Sequence, residues 1–293
     1  MKKKHAYLIM AHHRMDLLGE LLQTLDDPRC DIYVHIDKKC GESCSITELK
    51  YSKLYFLDGM NVKWAGYTQI ECELYLLKTA LLNGDYSYIH LLTGASFPIK
   101  SNDYIYQFFQ ENDGCEFVGF DNTEDFSRRV KYVFLFNEMG KETTKSDYRK
   151  EKIRRRFVKI QRFLRYDRFK QFKMVCKKGI AYWSITADFA TYLLANEEKI
   201  HSIFKYSICG DEVFAQTMIF NSPFKDRIYN LKDEFIGSLC CMPWNSSIGS
   251  RDGHNFEMRD FPYLEDSPCL YALKFENDDG IELIQKIKRE LIR

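Results

Sequence analysis

A glycine followed by two adjacent carboxylates, Gly210-Asp211-Glu212, opens an apolar run at helical spacing: Val213, Phe214, Met218 and Ile219. Carboxylates in the first turn of a helix are favoured by the macrodipole and by free backbone N–H groups. The pair therefore reads either as capping groups alone or as a cap and a base. In the second reading Asp211 holds the helix end while Glu212 faces a cleft as a general base. Two further reactive side chains stand one residue past apolar runs: His12 after AYLIMA (6–11) and Asp37 after DIYVHI (31–36). A carboxylate in that position either closes a turn on its own backbone or accepts a hydrogen bond from a ligand.

The elements that must position these groups alternate. The run 6–11 is wholly apolar, as a buried parallel strand is. Leu17, Leu18, Leu21, Leu22 and Leu25 then recur at helical spacing, and 31–36 and 54–57 read as further strands. A long amphipathic helix is expected over 67–82, closed by Asn83-Gly84. It is followed by a strand at 86–92, a polar loop at 93–98, a helix from Ser101 and a strand at 116–120. The segment 180–186 reads as a strand and 188–196 as a helix. Residues 221–268 are rich in loops, and a strand (269–275) and a helix (281–292) close the chain. Strand–helix alternation predicts an α/β fold with right-handed crossovers. In such sheets ligands bind at the carboxyl ends of the strands, where His12 and Asp37 fall. With no repeat and no linker, 1–293 reads as a single domain.

Composition narrows the classes. A formal charge of +1 leaves no global field calling for nucleic acid. The first apolar run is too short for a signal peptide or a membrane span, and no window reaches eighteen apolar residues. Ten cysteines include no Cys-x-x-Cys, and Cys40/Cys44 with Cys240/Cys241 fit none of the common zinc modules. A reducing cytoplasm is the simpler setting. From Lys145 to Lys178 fifteen Lys/Arg face three acids, with Phe157, Val158, Ile160, Phe163 and Leu164 interspersed. That segment reads as a basic amphipathic helix, either a solvated cover for the sheet or a surface for anionic headgroups or a polyanion.

Several segments taken together resemble the core-2/I-branching glycosyltransferases: YVHIDKK (33–39), VKWAGYTQIECELYLLKTAL (62–81), YSYIHLLTGASFPIKS (86–101), GIAYWSITADFATYLL (179–194), CGDEVFAQTM (209–218) and LYALKFENDD (270–279). The resemblance spans nearly the whole chain in order. It implies a single GT-A-type domain over 1–293, with a mixed, mostly parallel sheet flanked by helices, a nucleotide-sugar-binding half over 1–125 and an acceptor and catalytic half over 126–293. It also implies a UDP-sugar donor and inverting transfer without a divalent metal, so no cofactor is expected. The chain contains no Asp-x-Asp, the usual metal-holding pair of GT-A enzymes, so basic side chains must neutralise the leaving diphosphate.

The same resemblance distributes roles. Glu212 falls on the family's base, with Asp211 as the supporting cap. Lys274, a charge inside an apolar run, falls on a lysine that clamps the diphosphate; by pattern alone it is a snorkelling strand lysine. Its companion arginine is sought among Arg251, His254 and Arg259, with Arg251 preferred. Asp37 matches a contact to uracil and His12 the uridine pocket, while Trp64 matches a tryptophan beside the donor sugar or packs in the core. Gly94 and Ser96 belong to the donor-site floor. Trp244 and Tyr182 are the aromatic candidates for the acceptor. The acidic and basic acceptor residues of the animal members are replaced by Cys176 and Ala187, so their acceptor is not carried over.

The expected activity is transfer of N-acetylglucosamine from UDP-GlcNAc to a glycan or lipid-linked glycan hydroxyl, in bacterial surface polysaccharide or glycoconjugate synthesis. The expected place is the cytoplasm, peripheral at the inner face of the membrane through 145–178, with no nucleic acid partner. A xylosyltransferase using UDP-xylose is the nearest alternative, and a non-catalytic carbohydrate- or polyanion-binding protein the alternative of another class. A metalloenzyme is disfavoured, because no His/Asp/Glu triad stands at ligand spacing and the adjacent His12 and His13 would point apart on a strand end.

Overall fold

The computed structural model describes residues 3–140, 144–243 and 255–292. Its nine strands are β1 (Lys4–Ala11), β2 (Cys30–Ile36), β3 (Lys53–Leu57), β4 (Tyr86–Thr93), β5 (Ser96–Pro98), β6 (Phe117–Val118), β7 (Trp183–Thr186), β8 (Cys240–Cys241) and β9 (Tyr271–Leu273). The α-helices are α1 (Met15–Thr24), α2 (Thr68–Asn83), α3 (Asn102–Glu111), α4 (Arg128–Lys131), α5 (Lys145–Phe163), α6 (Ala187–Ala195), α7 (Glu197–Phe204), α8 (Phe214–Phe220), α9 (Glu234–Ser238), α10 (Phe261–Asp266) and α11 (Asp278–Glu290).

Six strands form one sheet in the order β3-β2-β1-β4-β7-β6. The first four are parallel to their neighbours, whereas β7 runs antiparallel to both β4 and β6. Both faces are covered, which is why β1 shows no polar alternation. Tyr7, Ile9 and Ala11 enter one core with α1, α3 and α11, while Ala6 and Leu8 enter the other with α2, α6 and α7. The sheet continues across residue 125, since β7 pairs with β4. The architecture is the mixed, mostly parallel sheet flanked by helices that the sequence predicts.

Two details depart from the expectations. The polar loop 93–98 is partly a strand: β5 pairs with β9, which also pairs with β8, in a separate three-stranded sheet. The strand read at 269–275 is present as β9, but β5 and β8 are too short to carry periodicity, so the sequence could not announce its partners. The basic segment is helical only to Phe163 and continues through a short 3₁₀ turn at Phe169–Phe172.

The small sheet matters for position. Pairing of Ser96 with Leu273 returns Lys274 to the ends of β1 and β4. Helix α2 is fixed at its start by Glu138, which accepts from the N–H of Tyr67 and of Thr68 and from the Thr68 hydroxyl at 2.8 Å. A distant carboxylate thus satisfies the free amides of that helix end. Ten free cysteines complete the picture.

Candidate active site

The carboxyl ends of β1 to β4 and the start of the antiparallel β7 share one edge of the sheet, because Trp183 pairs with Leu91 at the end of β4. Three loops converge there. After β2, the Asp37 N–H donates to Ala11 O, and Lys38 N–H donates to Met60 O at 3.0 Å. Lys39 Nζ reaches Val62 O at 2.6 Å, which fastens the β2 loop to the segment leading to Trp64. Further on, the Cys209 N–H donates to Ala65 O at 2.9 Å, so the Trp64 loop adjoins the turn that carries Asp211 and Glu212.

Gln69, on the first turn of α2, locks this junction. Its carbonyl accepts the Ala65 N–H at 2.6 Å and its amide donates to Asp211 Oδ2 at 3.0 Å. Asp211 does not cap a helix, contrary to the expectation. Gly210–Glu212 form a single 3₁₀ turn entered through Cys209 in the left-handed region (φ 48°). Helix α8 starts only at Phe214, and its first residues have no side-chain cap. Gly210 packs closely here: a Cβ would lie 2.6 Å from Ser207 Oγ and 3.0 Å from Ile70 Cδ1, so either side chain would have to shift. That close packing turns Asp211 inward against α2.

The two adjacent acids consequently differ. Asp211 is buried, one of its oxygens has no partner, and burial followed by the nearby Glu212 pushes its carboxyl up to about 7. Glu212 keeps a side chain 34% exposed and pairs with Arg129 of α4 at 2.6 Å. Burial works against the Arg129 charge, but Glu212 outweighs it and holds the guanidinium above its ordinary value. The Gly179 N–H donates to Glu212 O at 2.9 Å, setting the turn at the mouth of β7. Behind Asp211, one helical turn after Gln69, Glu73 is fully buried with an unpartnered oxygen. Burial, then the charge of Asp211, raises its carboxyl well above the usual range. Tyr182 stands beside this group: burial raises its hydroxyl, and Cys240, Asp211, Glu73 and Glu212 add to the effect.

The predicted donor residues also gather. His12 is exposed at the end of β1. Burial of its ring and the adjacent His13 lower its pKa, while Glu276 and Asp37 oppose this and Lys274 adds to it. Asp37 is buried and closes a turn, accepting the Lys39 N–H at 2.8 Å, with Lys39 Nζ at 3.4 Å from its other oxygen. Lys274 is partly exposed, 3.9 Å from Glu276, which also lies 3.3 Å from His13 Nε2. Trp64 is 59% exposed on its loop and so is not a core residue.

Gly94 and Ser96 do not present side chains to a ligand. Gly94 packs on Ala11, where an added Cβ would lie 3.0 Å away, and buried Ser96 Oγ accepts the Thr93 N–H at 3.1 Å. Ser96 opens β5, whose pairing with β9 sets the position of Lys274. Trp244, Arg251 and His254 lie outside the described residues. Arg259, the third clamp candidate, is bonded to Glu257 at 3.0 Å. Among the described residues no group of three His, Cys, Asp or Glu side chains is placed to hold a metal ion.

Sequence reasoning missed Gln69, Glu73, Arg129 and Glu276. A signal existed for the first two: they are polar residues four apart on the face of α2 that also carries buried Ile70, Leu74 and Leu77. Arg129 and Glu276 gain meaning only from neighbours distant in sequence.

Fold and site together have the form of an α/β enzyme whose candidate residues gather at its strand ends. The chain belongs to the core-2/I-branching enzyme family, a family of glycosyltransferases: the family described as Core-2/I-Branching enzyme matches residues 5–255. It is similar to the beta-1,3-galactosyl-O-glycosyl-glycoprotein beta-1,6-N-acetylglucosaminyltransferase of Homo sapiens, 21% identical over 212 residues, covering 69% of this chain and 44% of that protein. The Bos taurus protein of the same name is 25% identical over 103 residues, covering 33% of this chain and 24% of that one. The chain thus spans less than half the length of these relatives. Among solved structures it is similar to a glycosyltransferase involved in the glycosylation of the major capsid of PBCV-1, with a TM-score of 0.39 and 9% identity over 97% of this chain and 99% of that one.

Proposed function

We propose that this chain transfers N-acetylglucosamine from UDP-N-acetylglucosamine to a hydroxyl of a glycan acceptor, with inversion and without a divalent metal. The observation that carries the reading is the division of labour within Asp211-Glu212. One acid is buried and raised to about 7, while its neighbour is partly exposed and held by Arg129. Two adjacent carboxyls in such different environments support different roles, one packed inward and one free to meet an acceptor.

In this reading Glu212 Oε accepts the proton of the acceptor hydroxyl as that oxygen attacks the anomeric carbon. The bond from the anomeric carbon to the diphosphate oxygen breaks in the same displacement, and the electron pair leaves with UDP. Lys274 takes the developing charge at the donor end. Arg129 holds Glu212 in place until an acceptor hydroxyl replaces it. Asp37, His12 and Trp64 line the nucleotide and sugar side. The reading extends to a cytoplasmic enzyme of bacterial surface polysaccharide synthesis, held peripherally at a membrane through 145–178.

Calorimetric titration of UDP-sugars in excess EDTA tests it. UDP-N-acetylglucosamine is expected to bind saturably, and Lys274→Ala to weaken UDP about 10- to 100-fold through loss of a charged hydrogen bond. Tighter UDP-xylose would replace the donor. Binding restored only by Mn²⁺ would overturn the metal-free clamp, and no binding by any nucleotide sugar would overturn the function.

A further inference from the structure

Helix α5 presents two faces of opposite character. Its inner side is fixed to the body of the protein. Gln161 accepts the Val133 N–H at 2.8 Å and donates to Val133 O at 2.9 Å, and Val158 is buried beside it. Its outer side carries Ile153, Ile160 and Leu164, spaced i, i+7 and i+11 and hence stacked along one stripe, with Phe163 next to them. These four are 49%, 55%, 66% and 87% exposed. Single exposed apolar side chains are ordinary, but a stripe of large ones on one helix is an interaction surface.

Cations flank that stripe. Arg149, Lys152, Arg156 and Lys159 are all exposed on the same outward side. The three acids of the segment are engaged elsewhere. Asp147 closes a capping box with Thr144, buried Glu151 pairs with Arg154 and Arg155, and Asp167 accepts the N–H groups of Phe169 and Lys170. The outer face therefore combines uncompensated positive charge with an apolar ridge.

We infer that this face of α5 seats on an anionic lipid surface, with Ile153, Ile160, Phe163 and Leu164 entering the boundary between headgroups and acyl chains. The cations account for attraction to anionic headgroups, and the apolar ridge for insertion. A soluble polyanion would use the cations and leave Phe163 and Leu164 in water, so the ridge favours the lipid. No helix among the described residues is long and apolar enough to cross a membrane, and the contact is one of lying on its surface. The inner face of α5 grips Val133, four residues beyond Arg129, the partner of Glu212. The inference stands on the surface of α5 and does not depend on which sugar is moved.

The test is sedimentation of the whole chain with phosphatidylcholine vesicles, with and without phosphatidylglycerol. Binding is expected only to the anionic vesicles and should weaken with added salt. Phe163→Ser with Leu164→Ser, both in water already, is expected to reduce vesicle affinity at least about tenfold at an unchanged melting temperature. Arg156→Ala and Lys159→Ala should each reduce it about fivefold. Vesicle affinity untouched by the serine pair would overturn the inference, as would wild-type protein that binds dextran sulfate but no vesicle, or neither.

Discussion

Two buried glutamates lie near opposite ends of the same sheet and are surrounded differently. Glu116, beside the last residue of β7, is fully buried with both oxygens satisfied: it accepts the Thr186 N–H at 2.9 Å and the Thr186 hydroxyl at 2.5 Å. Glu73, beside the first residue of β7, is as deeply buried but keeps an oxygen without a partner, with the charge of Asp211 nearby. Burial raises both acids. At Glu116, raised to about 7, the two donors of Thr186 oppose burial, whereas at Glu73 Asp211 reinforces burial and only the Trp183 indole opposes it. One acid braces the start of α6, which Thr186 caps through the Phe189 N–H. The other keeps an oxygen without a partner, and it stands behind the candidate base. Strain of this kind collects at functional sites.

The comparison predicts opposite responses to substitution. The largest effect belongs to Glu212→Gln at the cleft, which should lower transfer by about 10²- to 10⁴-fold and leave donor affinity intact. Transfer at the wild-type rate would mean that the unsatisfied end of the sheet serves no chemistry. Next comes Glu116→Ala at the opposite end. It orphans the buried Thr186 N–H and should cost about 1–3 kcal/mol in urea unfolding without changing UDP affinity. A neutral outcome there would erase the distinction between the two glutamates.

Glu73→Gln should act in the other sense. It removes a group that must bind a proton to be buried and breaks no hydrogen bond found for its free oxygen. A gain of about 1–2 kcal/mol at pH 7, with slower transfer, is expected from paired unfolding and rate measurements. Loss of stability would show that Glu73 braces the fold as Glu116 does.

How far the sequence revealed this contrast depends on the kind of signal. Strands β1, β2 and β4 were legible because burial on both faces leaves continuous apolar runs, and their ends located His12 and Asp37. The base turn was legible as a motif but not as a shape. Gly-Asp-Glu before an apolar helix looks like a cap, and only the packing of Gly210 on Ile70 and Ser207 turns Asp211 inward. Gln69 and Glu73 were hidden because a polar residue on a helix has no assigned direction until its neighbours are known. The return of Lys274 to the strand ends depends on the pairing of β9, legible as a strand, with β5, which is too short to carry a pattern.

Asp211 gives the finest test, since Gln69 still bonds it and only its titration is at stake. Its carboxyl stands near 7 in the fold against an ordinary value of 3.8. Between those values the folded chain holds a proton that the unfolded chain has lost. The stability this contributes is fully present below about pH 4 and declines as pH rises through 7. Asn at this position keeps an oxygen for the Gln69 amide and removes the titration. Asp211→Asn should therefore match the wild type near pH 4 and exceed it by up to about 4 kcal/mol at pH 8, measured by urea unfolding at both values. A constant difference across that range would place the titrating proton elsewhere, and Glu73, coupled to the same charge, would be the group to examine by the same measurement.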